Sequence, residues 1–279
     1  AAPPLNGSRL STGLFVLEKT DLMIPGRVPL AITRTYRSNS SALGPFGVGT
    51  ARTLTEIIQA PTPDSLVYIQ AGGTRIPFAR TADGTYANDT IPSFRGARIT
   101  LAGAPTLRFR DGSRRVFGQL AIGITPLTFQ LTEIFDRNGN RVGIFLDFPG
   151  FRPIGLIDLD AQRKLDIAYL AGTNLIASIQ DPIGRQVRYT YDAASRLVAV
   201  TDPAGGITRY TYDVRGNLAT ITDARGITFL TNEYGPSGRV LRQVQADGGE
   251  WRFAYTLAGA QVTGPGCPGP TCPNVESGE

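Results

Sequence analysis

The chain contains no histidine among its 279 residues. This absence excludes Ser-His-Asp and Cys-His nucleophilic catalysis, and it excludes zinc sites that depend on imidazole ligands. Long apolar runs are missing too: no stretch of about 18 consecutive apolar residues occurs, so we expect no membrane span. The sequence therefore predicts a protein that is not an enzyme and that needs no metal or cofactor.

Cysteine is scarce, with only Cys267 and Cys272 present. Both lie in a tail rich in proline and glycine, residues 257–279. The four residues between them permit a small disulfide loop if the compartment is oxidising. Unpaired thiols in a flexible tail are the main alternative. Metal binding is the least favoured interpretation, because two thiols do not complete a zinc site.

Clusters of charge are rare as well. The 28 basic residues outnumber the 23 acidic ones and give a net charge of +5, yet they occur mostly as single arginines. The longest basic runs are Arg114-Arg115 and Arg163-Lys164. Because a nucleic-acid reader normally clusters its basic residues or interleaves them with aromatic ones, we expect no nucleic-acid partner.

What the chain does contain is a repeat. Asp181, Asp202 and Asp223 recur at intervals of 21 residues. The runs Tyr189-Thr190-Tyr191-Asp192 and Tyr210-Thr211-Tyr212-Asp213 recur at the same interval. A fixed period of this size is the signature of a repeat architecture.

Each repeat predicts a β-hairpin. Asp181-Pro182-Ile183-Gly184 and Asp202-Pro203-Ala204-Gly205 carry the residues that a type I turn prefers. Between the turns lie short β-branched and aromatic runs, such as residues 207–212 and 218–222, which suit strands. A single hairpin cannot bury a face alone, so the hairpins must stack on one another.

The repeat predicts a set of structural residues in its turns and strands. They are Asp181, Gly184, Tyr189, Tyr191, Asp192, Asp202, Gly205, Tyr210, Tyr212, Asp213, Asp223, Gly226 and Tyr234. Tyrosines two positions apart share one face of a strand. We interpret them as an aromatic rib that holds the array together, with an aromatic platform for sugars or peptides as the alternative.

The D-P-x-G…Y-x-Y-D-x-x-G-x-L pattern resembles the YD repeats of Rhs proteins, of the toxin-enclosing component of insecticidal toxin complexes, and of teneurins. Ser195 stands where the pattern has Gly, and Tyr234-Gly235 replaces Tyr-Asp in the third copy. Residues 25–36 and 44–49 are similar to the opening module of Rhs proteins. Thr50 departs from that module, which has Trp nearby.

We expect an all-β fold in which an N-terminal module is followed by a hairpin array that forms a continuous curved sheet. The predicted parts are residues 1–130, 131–256 and 257–279. In the first part, alternating runs between turn clusters predict a sandwich-like or plug-like module. Its strands are predicted over residues 54–58, 66–69, 75–78, 98–101, 107–109, 115–117 and 127–134.

Three weaker patterns have ordinary explanations. Asp136, Asn138, Asn140 and Asp147 mimic a calcium loop but lack its glycine and its final glutamate, so a hairpin turn is favoured. Asp158 and Asp160 are spaced as a possible acid–base pair, although surface turn charges explain them better. Glycosylation sequons begin at Asn6, Asn39 and Asn88, and such short matches are weak.

The resemblance implies a structural, non-catalytic function. In Rhs proteins and insecticidal toxin complexes such arrays wind into a hollow shell around a C-terminal toxin. We therefore expect the leading part of a secreted toxin-encapsulating shell, whose partners are a toxin cargo or further parts of the same polypeptide. The alternatives are an extracellular subunit that polymerises with identical copies by strand addition, and a cell-surface adhesin that binds glycans or a receptor.

Overall fold

The computed structural model describes residues 13–51, 55–120, 126–147, 151–256 and 259–264. Within these ranges the chain consists of strands, and its one helical element is a 3-10 turn at Pro92–Phe94. The predicted all-β fold class is therefore confirmed. No helix in the described part of the chain is long and apolar enough to cross a membrane.

The strands are short, because Gly-containing turns arrive about every ten residues. The first twelve are β1 (Val16–Ile24), β2 (Leu30–Arg37), β3 (Leu43–Gly44), β4 (Gly47–Val48), β5 (Ile57–Thr62), β6 (Ser65–Ile69), β7 (Arg75–Arg80), β8 (Tyr86–Ala87), β9 (Arg98–Thr100), β10 (Thr106–Arg108), β11 (Arg114–Gln119) and β12 (Leu127–Phe135). The next twelve are β13 (Arg141–Leu146), β14 (Pro153–Asp158), β15 (Arg163–Tyr169), β16 (Ile176–Gln180), β17 (Gln186–Tyr191), β18 (Leu197–Thr201), β19 (Ile207–Tyr212), β20 (Leu218–Thr222), β21 (Thr228–Tyr234), β22 (Val240–Gln245), β23 (Glu250–Thr256) and β24 (Gly259–Thr263).

The chain divides into two compact units. The first contains Ala1–Asp21, Thr33–Ala51 and Gln186–Glu279, and the second contains Leu22–Ile32 and Arg52–Arg185. The predicted boundary at residue 130 does not coincide with this division and falls inside β12. The physical reason is that β12 joins two ladders, since residues 127–130 pair with β5 and residues 133–135 pair with β13.

The second unit contains a closed ring of eight strands. β5 to β12 pair in chain order, and β12 pairs back with β5. The core of this ring is aromatic: the Tyr68 ring lies 5.8 Å from that of Phe94 and 6.3 Å from that of Phe117. The strands fall close to their predicted places, but they close into a ring instead of forming the two packed sheets of a sandwich.

The rest of the second unit continues from β12. β12 to β16 pair antiparallel, each with the next in the chain. Leu156, Leu165, Ile167 and Ile179 are buried on one face of this sheet.

In the first unit, β17 to β24 pair antiparallel, again each with the next. Burial alternates with a period of two in β17, β19 and β21, as a sheet with one covered face requires. In β17, for example, Val187 and Tyr189 are buried while Arg188 and Thr190 are exposed. In β18, β20 and β22 the buried residues are three positions apart, because the strand register shifts next to the first residue. The predicted array of stacked hairpins is thus present within each unit.

Residues 13–21 and 33–51, called the N-terminal segment below, cover this sheet within the first unit. The Phe46 ring lies 5.0 Å from the Tyr189 ring, and the Tyr36 ring lies 6.3 Å from the Tyr212 ring. Phe15 packs against Tyr36 and has no exposed surface. The core of the first unit therefore lies between the N-terminal segment and the repeat strands.

Candidate functional site: the interlocked repeat hairpins

One aspartate holds each repeat turn together. The Oδ1 atom of Asp192 accepts the N–H groups of Ala194 and Arg196 at 3.0 and 2.8 Å, and Ser195 N–H donates to the Asp192 carbonyl at 2.9 Å. A type I turn followed by a left-handed residue has this pattern. It recurs at Asp181, Asp202, Asp213 and Asp223, with Gly184, Gly205, Gly216 and Gly226 in the left-handed position.

The departures from the repeat pattern have clear consequences in these turns. Ser195 adopts the left-handed conformation with φ 59° although it has a side chain, which costs conformational energy that glycine avoids. Gly235, which replaces the aspartate in the third copy, keeps the backbone bonds of the turn to Arg239 and Gly238. It has no carboxylate with which to accept the additional N–H bonds.

Arginines at the ends of the turns pair with these aspartates. Arg185 Nε lies 2.6 Å from Asp181 Oδ2, and Arg196 Nη2 lies 2.7 Å from Asp192 Oδ2. Burial by itself would raise the pKa of Asp181, but hydrogen bonds from the Arg185 side chain and backbone outweigh it and lower that pKa. The same balance lowers the pKa of Asp192 through Arg196. These carboxylates are therefore held in the charged form.

In four of the described hairpins a tyrosine hydroxyl bonds to the hairpin before it. Tyr212 donates to the Leu197 carbonyl at 2.8 Å, Tyr234 donates to the Leu218 carbonyl at 2.8 Å, and Tyr255 donates to the Val240 carbonyl at 2.8 Å. In the second unit, Tyr169 donates to the Pro153 carbonyl at 2.7 Å. The acceptor is always the first residue of a strand. This bond supplements the backbone ladder with a side-chain contact that repeats along the array.

A cation often lies over the same tyrosine. The guanidinium carbon of Arg196 is 5.1 Å from the centroid of the Tyr212 ring, and that of Arg239 is 5.1 Å from the Tyr255 ring. In the second unit, Arg152 is 4.5 Å from the Tyr169 ring. Because each arginine precedes the carbonyl that the tyrosine bonds, one tyrosine makes both a hydrogen bond and a cation–π contact with the preceding hairpin.

The N-terminal segment joins three successive repeat turns within the first unit. Val48 N–H donates to the Ser195 carbonyl at 2.9 Å, and Asn39 N–H donates to Asn217 Oδ1 at 2.9 Å. Ser38 Oγ donates to the Gly238 carbonyl at 3.4 Å. Neighbouring hairpins are therefore fixed to a common segment as well as to each other.

A buried charged cluster forms the centre of this contact. Arg34 Nε lies 2.6 Å from Asp21 Oδ2, and their side chains are 4% and 2% exposed. Arg34 Nη2 donates to the Tyr210 hydroxyl at 2.5 Å, and the Tyr189 hydroxyl donates to Asp21 Oδ2 at 3.0 Å. Tyr189 and Tyr210, the first tyrosines of the two close repeat copies, are thus bound to the N-terminal segment, whereas Tyr212 binds the preceding hairpin.

The burial of the tyrosines favours the aromatic rib over a binding platform for sugars or peptides. Tyr189 and Tyr210 are 5% and 4% exposed, and burial raises the pKa of both hydroxyls. Buried rings do not offer a platform to sugars or peptides. Tyr191 also lies on the covered face, with its hydroxyl 3.4 Å from the Pro45 carbonyl. The rings contact aromatic residues of the N-terminal segment, so the rib is assembled from two parts of the chain.

The weaker sequence patterns are occupied by turn contacts. Asp136 Oδ1 accepts the N–H groups of Asn138 and Asn140, and Asp147 pairs with Arg152 at 2.6 Å. Within the described ranges, no group of three or more acidic or cysteine residues could hold a metal ion.

The acid–base candidates and the sequons are also placed. Asp158 accepts the N–H group of Asp160 and pairs with Arg163. Asn88 is buried and donates to the Pro77 carbonyl at 2.6 Å, so its amide is not accessible for glycosylation. Asn6 and the predicted disulfide of Cys267 and Cys272 lie outside the described residues.

Two family models match the sequence. Residues 9–78 match DUF6531, a domain of unknown function, and residues 171–207 and 195–228 match the RHS Repeat. The RHS matches fall on the hairpins whose turns and tyrosines are described above. Residues 171–228 therefore consist of RHS repeats. The family predicted from the repeated Asp and Tyr residues is thereby confirmed, and no curated protein matches the chain.

Solved structures that resemble this chain come from Tc toxins. The TcdB2-TccC3-Cdc42 structure shares 13% identity over 72% of this chain and 13% of that chain, with a TM-score of 0.40. The Photorhabdus luminescens Tc holotoxin pore shares 13% identity over 71% and 13%, with a TM-score of 0.39. The TcdB2-TccC3-TEV structure shares 16% identity over 84% and 14%, also at 0.39. This chain thus spans a small part of the length of each.

The interlocked hairpins form a structural scaffold of the RHS type. Their recurring side chains bond to turns, carbonyls and neighbouring rings, which are contacts that hold a sheet in place. Sequence reasoning found the turns and the tyrosines but missed the partners of Arg34, Asp21 and Asn217. The spacing between an arginine and the tyrosine that follows it, 16 residues in Arg196–Tyr212 and in Arg239–Tyr255, is a signal that could have found the cation–π contacts.

Proposed function

We propose that this RHS-repeat chain is the leading part of a wall that encloses a toxin segment, and that it has no catalytic role of its own. The observation that carries the proposal is the tyrosine-to-carbonyl bond from each hairpin to the preceding one. Because this bond recurs at Tyr169, Tyr212, Tyr234 and Tyr255, further hairpins extend the sheet with the same contacts. The wall of a shell requires contacts that can be repeated from one hairpin to the next in this way.

The two faces of the repeat sheet support the same function. The covered face holds apolar residues and tyrosines, while the other face carries threonine and arginine, such as Arg188, Thr190, Arg209 and Thr211. The N-terminal segment fixes the first-unit hairpins to one another, which suits the beginning of an array. Secretion of the protein and a toxin as its cargo belong to this proposal.

The coding region after Glu279 tests the proposal directly. We expect more 21-residue RHS repeats followed by a variable segment that kills cells when it is expressed alone. Expressed together with the repeats, that segment should resist added protease until the shell is denatured. A stop codon directly after Glu279 would contradict the proposal and favour an independent assembly subunit.

The purified chain distinguishes the self-assembling alternative. A piece of a shell should elute as a monomer in size-exclusion chromatography at all practical concentrations. Concentration-dependent polymers, visible by negative-stain microscopy, would support polymerisation by strand addition instead.

A further inference from the structure

Arginines that are dispersed in the sequence form a row across the second unit. Arg108 on β10 lies directly opposite Arg98 on β9 and Arg114 on β11. Arg114 is opposite Phe135 on β12, which is in turn opposite Arg141 on β13. Four of five consecutive positions across the strands are therefore arginines. Arg110 and Arg137 follow in the turns at the same end of these strands.

This row concentrates the positive charge of the chain. Residues 95–141 contain eight arginines and three acidic residues, so their net charge is 8 − 3 = +5, equal to that of the whole chain. Of the acids at this end, Asp111 and Asp136 accept hydrogen bonds inside their own turns, and Asp160 Oδ2 accepts the backbone N–H group of Arg141 at 3.2 Å. Asp89 lies 3.6 Å from Arg98, and the side chains of Arg98 and Asp89 are 42% and 63% exposed.

The guanidinium groups are accessible and partly ordered. Arg108 and Arg141 are exposed, and no ion pair involves either side chain among the described residues. The guanidinium carbon of Arg114 lies 3.8 Å from the centroid of the Phe135 ring, and Arg98 Nη1 donates to the Ala97 carbonyl at 3.0 Å. Arg98 and Arg114 are thus oriented by contacts within the protein, whereas the side chains of Arg108 and Arg141 are available to a ligand.

Folding does not account for this arrangement. Like charges directly opposite each other on neighbouring strands destabilise a sheet. Positions that break a local rule of this kind are expected where the protein performs a function. From this row we infer a binding site for an acidic polysaccharide, a linear chain of sugars carrying sulfate or carboxylate groups that the arginines bind in succession. The site does not depend on the proposed shell.

Spacing favours a polysaccharide over other polyanions. Neighbouring strands are about 4.8 Å apart, and one sugar of an extended polysaccharide is close to that length. Acidic side chains on one face of an extended peptide recur at about 6.7 Å, and the phosphates of one DNA strand advance by about 3.4 Å each along the helix axis, so neither repeat matches the spacing of the row. Single-stranded nucleic acid is disfavoured further, because the row presents no free aromatic ring for stacking.

The test uses the whole chain and a heparin oligosaccharide as the probe. A variant with Arg98→Gln, Arg108→Gln and Arg141→Gln loses three members of the row. Its matched control carries Arg75→Gln, Arg188→Gln and Arg209→Gln, which remove the same charge from exposed strand positions elsewhere. We expect the row variant to weaken heparin binding by at least about tenfold and the control by less than about threefold. Uncharged dextran should not bind.

A second measurement does not depend on variants. Heparin should protect Arg108 and Arg141 of the unmodified chain from an arginine-specific reagent, as read by mass spectrometry, and should leave Arg188 and Arg209 reactive. Equal weakening by both triple variants, or protection without preference for the row, would overturn the site. Displacement of heparin by a lower charge concentration of duplex DNA would overturn the assignment to a polysaccharide.

Discussion

The hydroxyl of Tyr212 donates a 2.8 Å hydrogen bond to the carbonyl of Leu197, the first residue of a strand in the preceding hairpin. Tyr234 makes the same bond to Leu218 one repeat later. A tyrosine that joins successive hairpins explains why tyrosine recurs at this position, as Tyr212, Tyr234 and Tyr255. The first tyrosine of the Tyr-x-Tyr pair bonds to the N-terminal segment in the close copies, so the two positions perform different tasks.

Removing one of these hydroxyls should weaken the array locally. We expect Tyr212→Phe to lower the free energy of unfolding by about 1 kcal/mol, because the ring remains packed while the Leu197 carbonyl loses its partner. Chemical denaturation measures the change. Thr190→Val, at an exposed position on the other face, serves as the control and should change stability by less than about 0.5 kcal/mol. Equal effects of the two variants would show that the hydroxyl bond contributes nothing specific.

The buried ion pair predicts a larger effect. Asp21→Asn should destabilise the fold by about 3–5 kcal/mol, because Arg34 would then be a buried charge without its anionic partner. The exposed pair of Arg225 and Asp223 is the matched comparison, and Arg225→Gln should cost no more than about 1 kcal/mol. Thermal and denaturant unfolding measure both.

A double variant separates the pair from its surroundings. Asp21→Leu combined with Arg34→Met removes both charges, and its loss of stability should be smaller than that of Asp21→Asn alone. Additive losses from the single variants would mean that the two charges act independently. That result would remove the argument that this pair fixes the N-terminal segment to the repeats.

The parts of the fold that the sequence predicts well are local. The turn at Asp202 depends on five consecutive residues, and the shared face of Tyr189 and Tyr191 depends on the two-residue period of a strand. Both follow from short-range geometry. The arginine row shows the limit of such reasoning: Arg108 and Arg141 are 33 residues apart in the sequence, and only strand register aligns them.

Long-range features required the structure. The ring closes because residues 127–130 meet β5, about 70 residues earlier in the chain, and nothing in either segment specifies that partner. Arg34 and Tyr210 are 176 positions apart. The opening motif contains Arg34 and Tyr36, but which repeat residues they bond depends on how the N-terminal segment lies over the sheet.

The turn aspartates predict a loss of stability in acid. The pKa values of Asp181, Asp192 and Asp223 are lowered in the folded state. A lowered pKa stabilises the fold above the unfolded value of 3.8, and this contribution disappears as the pH falls through the folded values. We therefore expect stability to fall below about pH 4. Asp192→Asn should flatten this part of the profile, and a profile unchanged by the substitution would contradict the assignment.

Two turns in successive repeats offer a reciprocal test of backbone strain. Ser195 and Gly216 occupy the same position after Asp192 and Asp213, with φ 59° and 85°. A side chain in this conformation costs about 1–2 kcal/mol, and no atom lies within 4 Å of a Cβ placed on Gly216, so space does not complicate its replacement. Gly216→Ser should therefore destabilise the chain by about 1 kcal/mol.

Ser195→Gly should have the opposite sign and a smaller size. It relieves the same strain, but glycine also increases the entropy of the unfolded chain, which offsets about 0.5–1 kcal/mol of the gain. The Ser195 carbonyl still accepts the N–H group of Val48, since that bond belongs to the backbone. Denaturant midpoints of the two variants and of the chain carrying both substitutions measure the effect. If Ser195→Gly destabilises the chain, the Ser195 side chain makes a contact that outweighs its strain, and the equivalence of the two turns fails.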